Sequence, residues 1–247
     1  MAVVGLAAGA LGGLFGVGGG LIIVPGLIAF VHMDRRLAHG TSLAATLPIA
    51  VASFVTYLAS GNVDWPVAMA LAAGSVCGAV VGTRLLRTIP KRPLTLIFVA
   101  VILATALRLF MATGDAARAD LTLAGVGALV VAGLVAGTLA GLLGIGGGVV
   151  MVPVMVVLYG MVPPVAKGTS AAVIVPTALM GTWRNRRHAN ADLRVAAVCG
   201  LAGTVTAVIG GTVAIHLDDR VSNVLFGLLL VTVAASQLAT LRREEGR

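Results

Sequence analysis

Apolar residues run almost unbroken through this chain in eight stretches, over residues 2–31, 41–59, 66–86, 94–111, 121–159, 169–183, 195–215 and 221–241, with polar residues gathered in the short gaps between them. Most approach the roughly 20 residues that a helix needs to cross a hydrocarbon core of about 30 Å. The pattern predicts an all-α polytopic membrane protein with about eight hydrophobic segments, four in each half. It is also written twice. Gly9, Gly13, Gly16, Gly18, Gly19, Gly20, Val24 and Pro25 return in the same order and at the same spacings as Gly137, Gly141, Gly144, Gly146, Gly147, Gly148, Val152 and Pro153. This constant offset holds without a gap through Gly40-Thr41-Ser42 and Gly168-Thr169-Ser170, Pro48 and Pro176, Asn62 and Asn190, Asp64 and Asp192, Gly82 and Gly210, and Phe98 and Phe226. Two repeats, 1–119 and 120–247, are expected to form one integrated transmembrane domain. A glycine-broken apolar segment at matching positions in two halves points to a transporter whose site lies between them.

The fifth stretch, 121–159, is far longer than one crossing requires. As one helix it would reach about 58 Å, twice the apolar slab. It is expected to break at Gly144 to Gly148, leaving a long helix and then a short half-helix from about Val149. By the offset Met1 corresponds to Leu129, so the first half lacks the start of that long helix, and a re-entrant hairpin fits there.

Composition fixes the class: 59% of the residues are hydrophobic and only 11% charged, against about 25% charged in soluble domains. The opening stretch lacks a basic leader and already carries the first glycine motif, so it reads as mature structure with no cleavage expected. The 17 Lys and Arg outnumber the 9 Asp and Glu, but they occupy loops, as membrane orientation and anionic lipids favour. No nucleic-acid partner is implied. In the first half the cations cluster at Arg35 and Arg36, then at Arg84, Arg87, Lys91 and Arg92. In the second they cluster at Arg184, Arg186, Arg187 and Arg194, then at Arg242, Arg243 and Arg247. The bias has moved by one loop, the mark of inverted repeats.

All nine acids fall in loops or at helix ends. A carrier of a desolvated cation commonly marks its path with an intramembrane carboxylate, so the substrate leans toward an anion or a neutral molecule. Cys77 and Cys199 do not align under the offset and are expected as buried thiols, neither disulfide nor metal site. His32, His188 and His216 lack ligand spacing. No metal site is expected from them.

Polyglycine inside lipid is tolerable only where its exposed backbone faces protein or a water-filled cavity. Gly18, Gly19 and Gly20, with Gly146, Gly147 and Gly148, are expected to line such a cavity, aiming N–H groups and half-helix N-termini at an anion. The flanking Gly9/Gly13 and Gly137/Gly141 pairs read as close helix packing. Thr41, Ser42, Thr169 and Ser170 open the next helix in each half, where a hydroxyl either caps the helix or donates to an oxyanion. His39 and Lys167 precede them, as charges for the anion or as side chains snorkelling to the interface. Pro48 and Pro176 would bend their helices. Asp64 and Asp192 read as caps, and Trp65 and Trp183 as headgroup anchors.

The ordered set Gly141, Gly144, Gly146 to Gly148, Val152-Pro153 and Gly168-Thr169-Ser170, with residues 61–65 and the first-half counterparts, resembles the sulfite exporter TauE/SafE family, also called the toluene-sulfonate uptake permeases. The resemblance runs from Gly5 to about Leu238. It implies a multi-pass inner-membrane permease for sulfite, sulfonates or related small organic anions, with no tightly bound cofactor. The second half departs from the first at Asn190 to Leu193 and in its basic 184–187 loop. Alternating access between the repeats is the leading mechanism. The alternatives are an accessory subunit of a larger membrane complex and an intramembrane hydrolase using Ser42 and His39. Glycine-rich faces could also support a homodimer.

Overall fold

The computed structural model describes residues 1–85, 99–100, 103, 106–107, 122–187 and 190–245. The stretch at 94–111 for the most part, and Arg87, Lys91, Arg92, Phe98, Asp115, Asp120, His188 and Arg247, lie outside the described residues. The described helices are α1 (Ala2–Phe15), α2 (Gly20–Val31), α3 (Arg35–Ala59), α4 (Trp65–Leu85), α5 (Leu123–Leu143), α6 (Gly148–Tyr159), α7 (Pro163–Arg187), α8 (Leu193–His216) and α9 (Asp219–Glu245). Stretches in α3, α4, α5, α8 and α9 are long and apolar enough to cross a membrane. Large apolar side chains such as Phe30, Met69, Val131, Leu201 and Ile209 face outward, the surface that lipid covers.

Each glycine-broken segment is two helices, so one hydrophobic stretch does not equal one helix. Gly16 closes α1 in the left-handed region at φ 66° and donates to Gly12. Gly19, at φ 76°, then opens α2. The second half repeats this with Gly144 at φ 65° and Gly147 at φ 76°. An L side chain at such angles costs roughly 1–2 kcal/mol, which is why glycine holds these corners. The chain reverses there: Gly19 lies against Ala8 and Gly26 against Val4, so α2 runs back along α1. Likewise the Tyr159 hydroxyl at the end of α6 donates to the Gly125 carbonyl near the start of α5, 2.7 Å away. With 12 residues each, α2 and α6 are about 18 Å long, too short to cross a bilayer.

Packing interlocks the halves. Gly5, Gly9 and Gly13 of α1 press on the backbone of Cys199, Gly203 and Ala207 of α8, while Gly133, Gly137 and Gly141 of α5 press on Leu71, Ser75 and Ala79 of α4. These are the same contacts displaced by the repeat offset, so the glycine pairs are close-packing faces and the arrangement has a pseudo-two-fold axis. Residue numbers rise together in both pairs, making α1 parallel to α8 and α5 parallel to α4. The neighbours Ala45/Gly200, Ile49/Gly203 and Thr56/Gly211 make α3 parallel to α8. Ser75 with Thr177, and Thr83 with Arg184, make α4 parallel to α7. Where α3 meets α7, Leu43 touches Gly181, whose repeat equivalent in α3 is Ser53. Two helices pairing equivalents that far apart run in opposite directions. It follows that α1, α3 and α8 point one way and α4, α5 and α7 the other, so α1 opposes its own counterpart α5.

Candidate functional site

The two glycine hairpins meet tip to tip at the centre of the molecule. Gly20 packs on Gly144, Gly148 on Gly16, and Gly146 lies beside the Val17 carbonyl. Gly18, Gly19, Gly20, Gly146, Gly147 and Gly148 are all buried. Among the described residues, none accepts a hydrogen bond from the N–H groups of Gly18, Gly19, Gly146 or Gly147. Unpaired buried amides are costly and rare, and here they gather at the N-termini of α2 and α6, where the helix dipoles add positive potential. The tips pack directly on one another, each filling the space beside the other. A Cβ on Gly148 would come within 2.6 Å of the Gly16 carbonyl oxygen.

The Gly-Thr-Ser tripeptides tie one half to the other. Their place corrects the expectation that they open a helix: α3 begins at Arg35, capped by the Asp34 carboxylate, and α7 begins at Pro163. Gly40 and Gly168 therefore sit more than a turn inside, packed on the backbone carbonyls of Asn190 and Asn62 respectively. The Thr41 hydroxyl accepts from the Asp192 N–H at 2.9 Å, and the Thr169 hydroxyl accepts from the Asp64 N–H at 2.9 Å. Ser42 Oγ donates to the Gly144 carbonyl at 3.0 Å and the Gly20 carbonyl at 3.3 Å. Ser170 Oγ donates to the Gly16 carbonyl at 2.9 Å. All four hydroxyls are buried. They bracket the tips, and the proton of Ser42 is committed to carbonyls, unlike that of a nucleophile held by a base.

Asp64 and Asp192 do cap. Asp64 Oδ1 accepts from the Val67 N–H, and Asp192 Oδ1 from those of Arg194 and Val195.

His39 and Lys167 occupy equivalent positions with different duties. His39 Nδ1 lies 2.7 Å from the Leu143 carbonyl, so that nitrogen carries the proton and satisfies the last residue of α5. Lys167 does not snorkel: it is 1% exposed, because α9 and Phe15 close over it. Its ammonium donates to Ser222 Oγ at 2.6 Å and lies 5.6 Å from the centre of the Phe15 ring, the counterpart of Leu143. The thiols also differ from expectation, since Cys199 is buried but Cys77 is exposed on the flank of α4. Pro48 and Pro176 lie inside α3 and α7, which continue through them. Sequence reasoning missed Thr46 and Ile174, equivalent residues whose side chains meet at Gly18 and Gly146. The signal was a polar residue facing an apolar one at a matched position.

The family model described as sulfite exporter TauE/SafE matches residues 1–109 and 129–247. A probable membrane transporter protein of Bacillus subtilis (strain 168), YunE, is 29% identical over 208 residues, covering 74% of this chain and 76% of its own. Another from that organism, YdhB, is 34% identical over 89 residues, and the match spans only 36% of its length. A probable membrane transporter protein of Xylella fastidiosa (strain 9a5c) is 34% identical over 106 residues, 41% of its length. No solved structure matches. With nearly all of its residues matched, including both glycine tips and both Gly-Thr-Ser brackets, the chain belongs to the sulfite exporter TauE/SafE family.

Proposed function

We propose that this protein is a membrane transporter for a small oxyanion, sulfite, a sulfonate or a related organic anion, working by alternating access between its two halves. The reading is carried by the head-to-head meeting of two glycine tips whose buried N–H groups lack partners at the starts of α2 and α6. Backbone amides at helix N-termini bind anions without needing a formal charge. The buried ammonium of Lys167 and the imidazole of His39, each packed beside a tip, supply positive potential.

The tips touch here, so the anion binds only after they part. The Ser42 and Ser170 brackets then exchange one carbonyl partner for another, or for the anion itself. Opposed hairpins let one half rock against the other while the site stays fixed between them. The ends of α4 and α7, carrying Arg84, Arg184, Arg186 and Arg187, lie together and face the cytoplasm of a cell whose inner membrane holds the protein.

The test is radiolabelled sulfite and sulfoacetate flux in proteoliposomes, comparing wild type with a Gly147→Val, Ser170→Ala double variant. Saturable flux that falls in the variant is expected. Equal flux from both removes the tips from the path.

A further inference from the structure

Thr46 is wholly buried, and its hydroxyl has no hydrogen-bond partner. That is unusual within this molecule. Ser53, Thr56, Thr138, Thr177, Thr204, Thr212 and Thr232 all lie inside helices, and each donates to the carbonyl four residues back. The same outlet exists for Thr46 at the Ser42 carbonyl, and its hydroxyl does not take it. A buried hydroxyl left unpaired costs free energy that selection tolerates for a function. Thr182, the other such hydroxyl among the described residues, lies well along α7 from Ile174, whereas Thr46 is at the tips. Its methyl would touch a Cβ on Gly18 at 2.6 Å and one on Gly146 at 3.4 Å.

We infer that the Thr46 hydroxyl is a substrate-directed donor: a turn about χ1 exchanges the methyl that faces Gly18 and Gly146 in this structure for the hydroxyl, which with the N–H groups of those two glycines then binds one oxygen of a small oxyanion on the pseudo-two-fold axis. The inference rests on the anion-transport reading and adds a side chain to it. Its equivalent Ile174 offers no polar atom, so the site is asymmetric: the α3 side presents a donor and the α7 side a hydrocarbon wall. That favours an anion whose oxygen-bearing group is attached to a hydrocarbon segment, as in an alkyl or carboxyalkyl sulfonate, over one with oxygens all round.

The experiment measures binding of sulfite, sulfoacetate and sulfate to purified full-length protein by thermal shift, and flux in proteoliposomes. Variants are Thr46→Val, which keeps the shape, and Thr46→Ser, which keeps the hydroxyl. Thr46→Val is expected to weaken sulfoacetate binding about 10- to 100-fold, with a melting temperature in the absence of anion no lower than wild type. Thr46→Ser should stay within about threefold of wild type, less than a net hydrogen bond is worth. Ile174→Thr should narrow the preference for sulfoacetate over sulfate. Wild-type affinity in Thr46→Val, or a fall in its anion-free melting temperature, overturns the inference and leaves the transport reading standing. If wild type itself shows neither shift nor saturable flux with any of the three anions, the transport reading fails and this inference with it.

Discussion

Ser42 Oγ on α3 donates to the carbonyl oxygen of Gly144 at 3.0 Å, from one repeat to the other. Ser170 returns the bond to Gly16 at 2.9 Å. Both carbonyls end a broken helix, where four C=O groups lose their intrahelical partners. Ser42→Ala and Ser170→Ala should each lower stability by about 1–3 kcal/mol, the cost of a buried acceptor left unsatisfied. Because the tips touch, the double variant should deviate from additivity. Ser53→Ala is the control, since its hydroxyl only doubles up on the Ile49 carbonyl of its own helix. Thermal unfolding in detergent measures all four, and equal effects at Ser42 and Ser53 would refute the bracket.

The glycines are not interchangeable. At Gly144 the φ is 65°, and an added Cβ would come 2.5 Å from the His39 carbonyl oxygen, a backbone atom that cannot step aside. Gly144→Ala should therefore lose more than the roughly 1–2 kcal/mol of left-handed strain alone. Gly61, at φ 72° with nothing within 4 Å, should lose only that strain on substitution by Ala. Gly127 lies inside α5 with open space around it, and Gly127→Ala should be neutral or gain up to about 1 kcal/mol. Melting temperatures ranked Gly127→Ala, Gly61→Ala, Gly144→Ala from high to low are the expected result. A Gly144→Ala protein as stable as Gly61→Ala would mean that the tip contact is loose.

The duplication, the helix break and the close-packed glycine faces were legible because each is written in residue type and spacing. A run such as Gly144 to Gly148 cannot continue a helix cheaply, and G-x-x-x-G admits a neighbouring backbone. The reversal was legible at the first tip, from the missing start of the long helix, but not at the second, since hydropathy does not record direction, and an apolar stretch as long as 121–159 looks alike folded or straight. The Gly-Thr-Ser role was hidden for a related reason. Equivalence under the offset says that Ser42 and Ser170 do the same thing, but not that each does it for the other half. The burial of Lys167 escaped because a lone cation at the edge of an apolar run ordinarily reaches water, and only the tertiary approach of Ser222 and Phe15 closes that route.

Lys167 is the buried cation of the tip region, held by a neutral hydroxyl and an aromatic face. Burying an ammonium with so little compensation costs stability. Lys167→Met should thus change unfolding stability by no more than about 1 kcal/mol, and in the favourable direction if at all, while sulfite or sulfoacetate flux falls at least tenfold. Unchanged flux would take Lys167 out of the anion's field. A collapse in stability would instead make it a structural prop.

Opposed repeats put the ends of α3 and α7 on opposite membrane faces, although these are equivalent positions of the two halves. Gly61, just beyond α3, and Arg186, near the end of α7, are both exposed and suit single-cysteine labelling in a background lacking Cys77 and Cys199. A membrane-impermeant maleimide applied to intact spheroplasts should label one of Gly61→Cys and Arg186→Cys, and label both only after permeabilisation. The abundance of arginine at the α7 end makes Arg186→Cys the protected one. Repeats related by an axis along the membrane normal would instead give the two cysteines the same accessibility. That outcome would be hard to reconcile with Leu43 meeting Gly181, because it requires equivalent residues to lie at one depth.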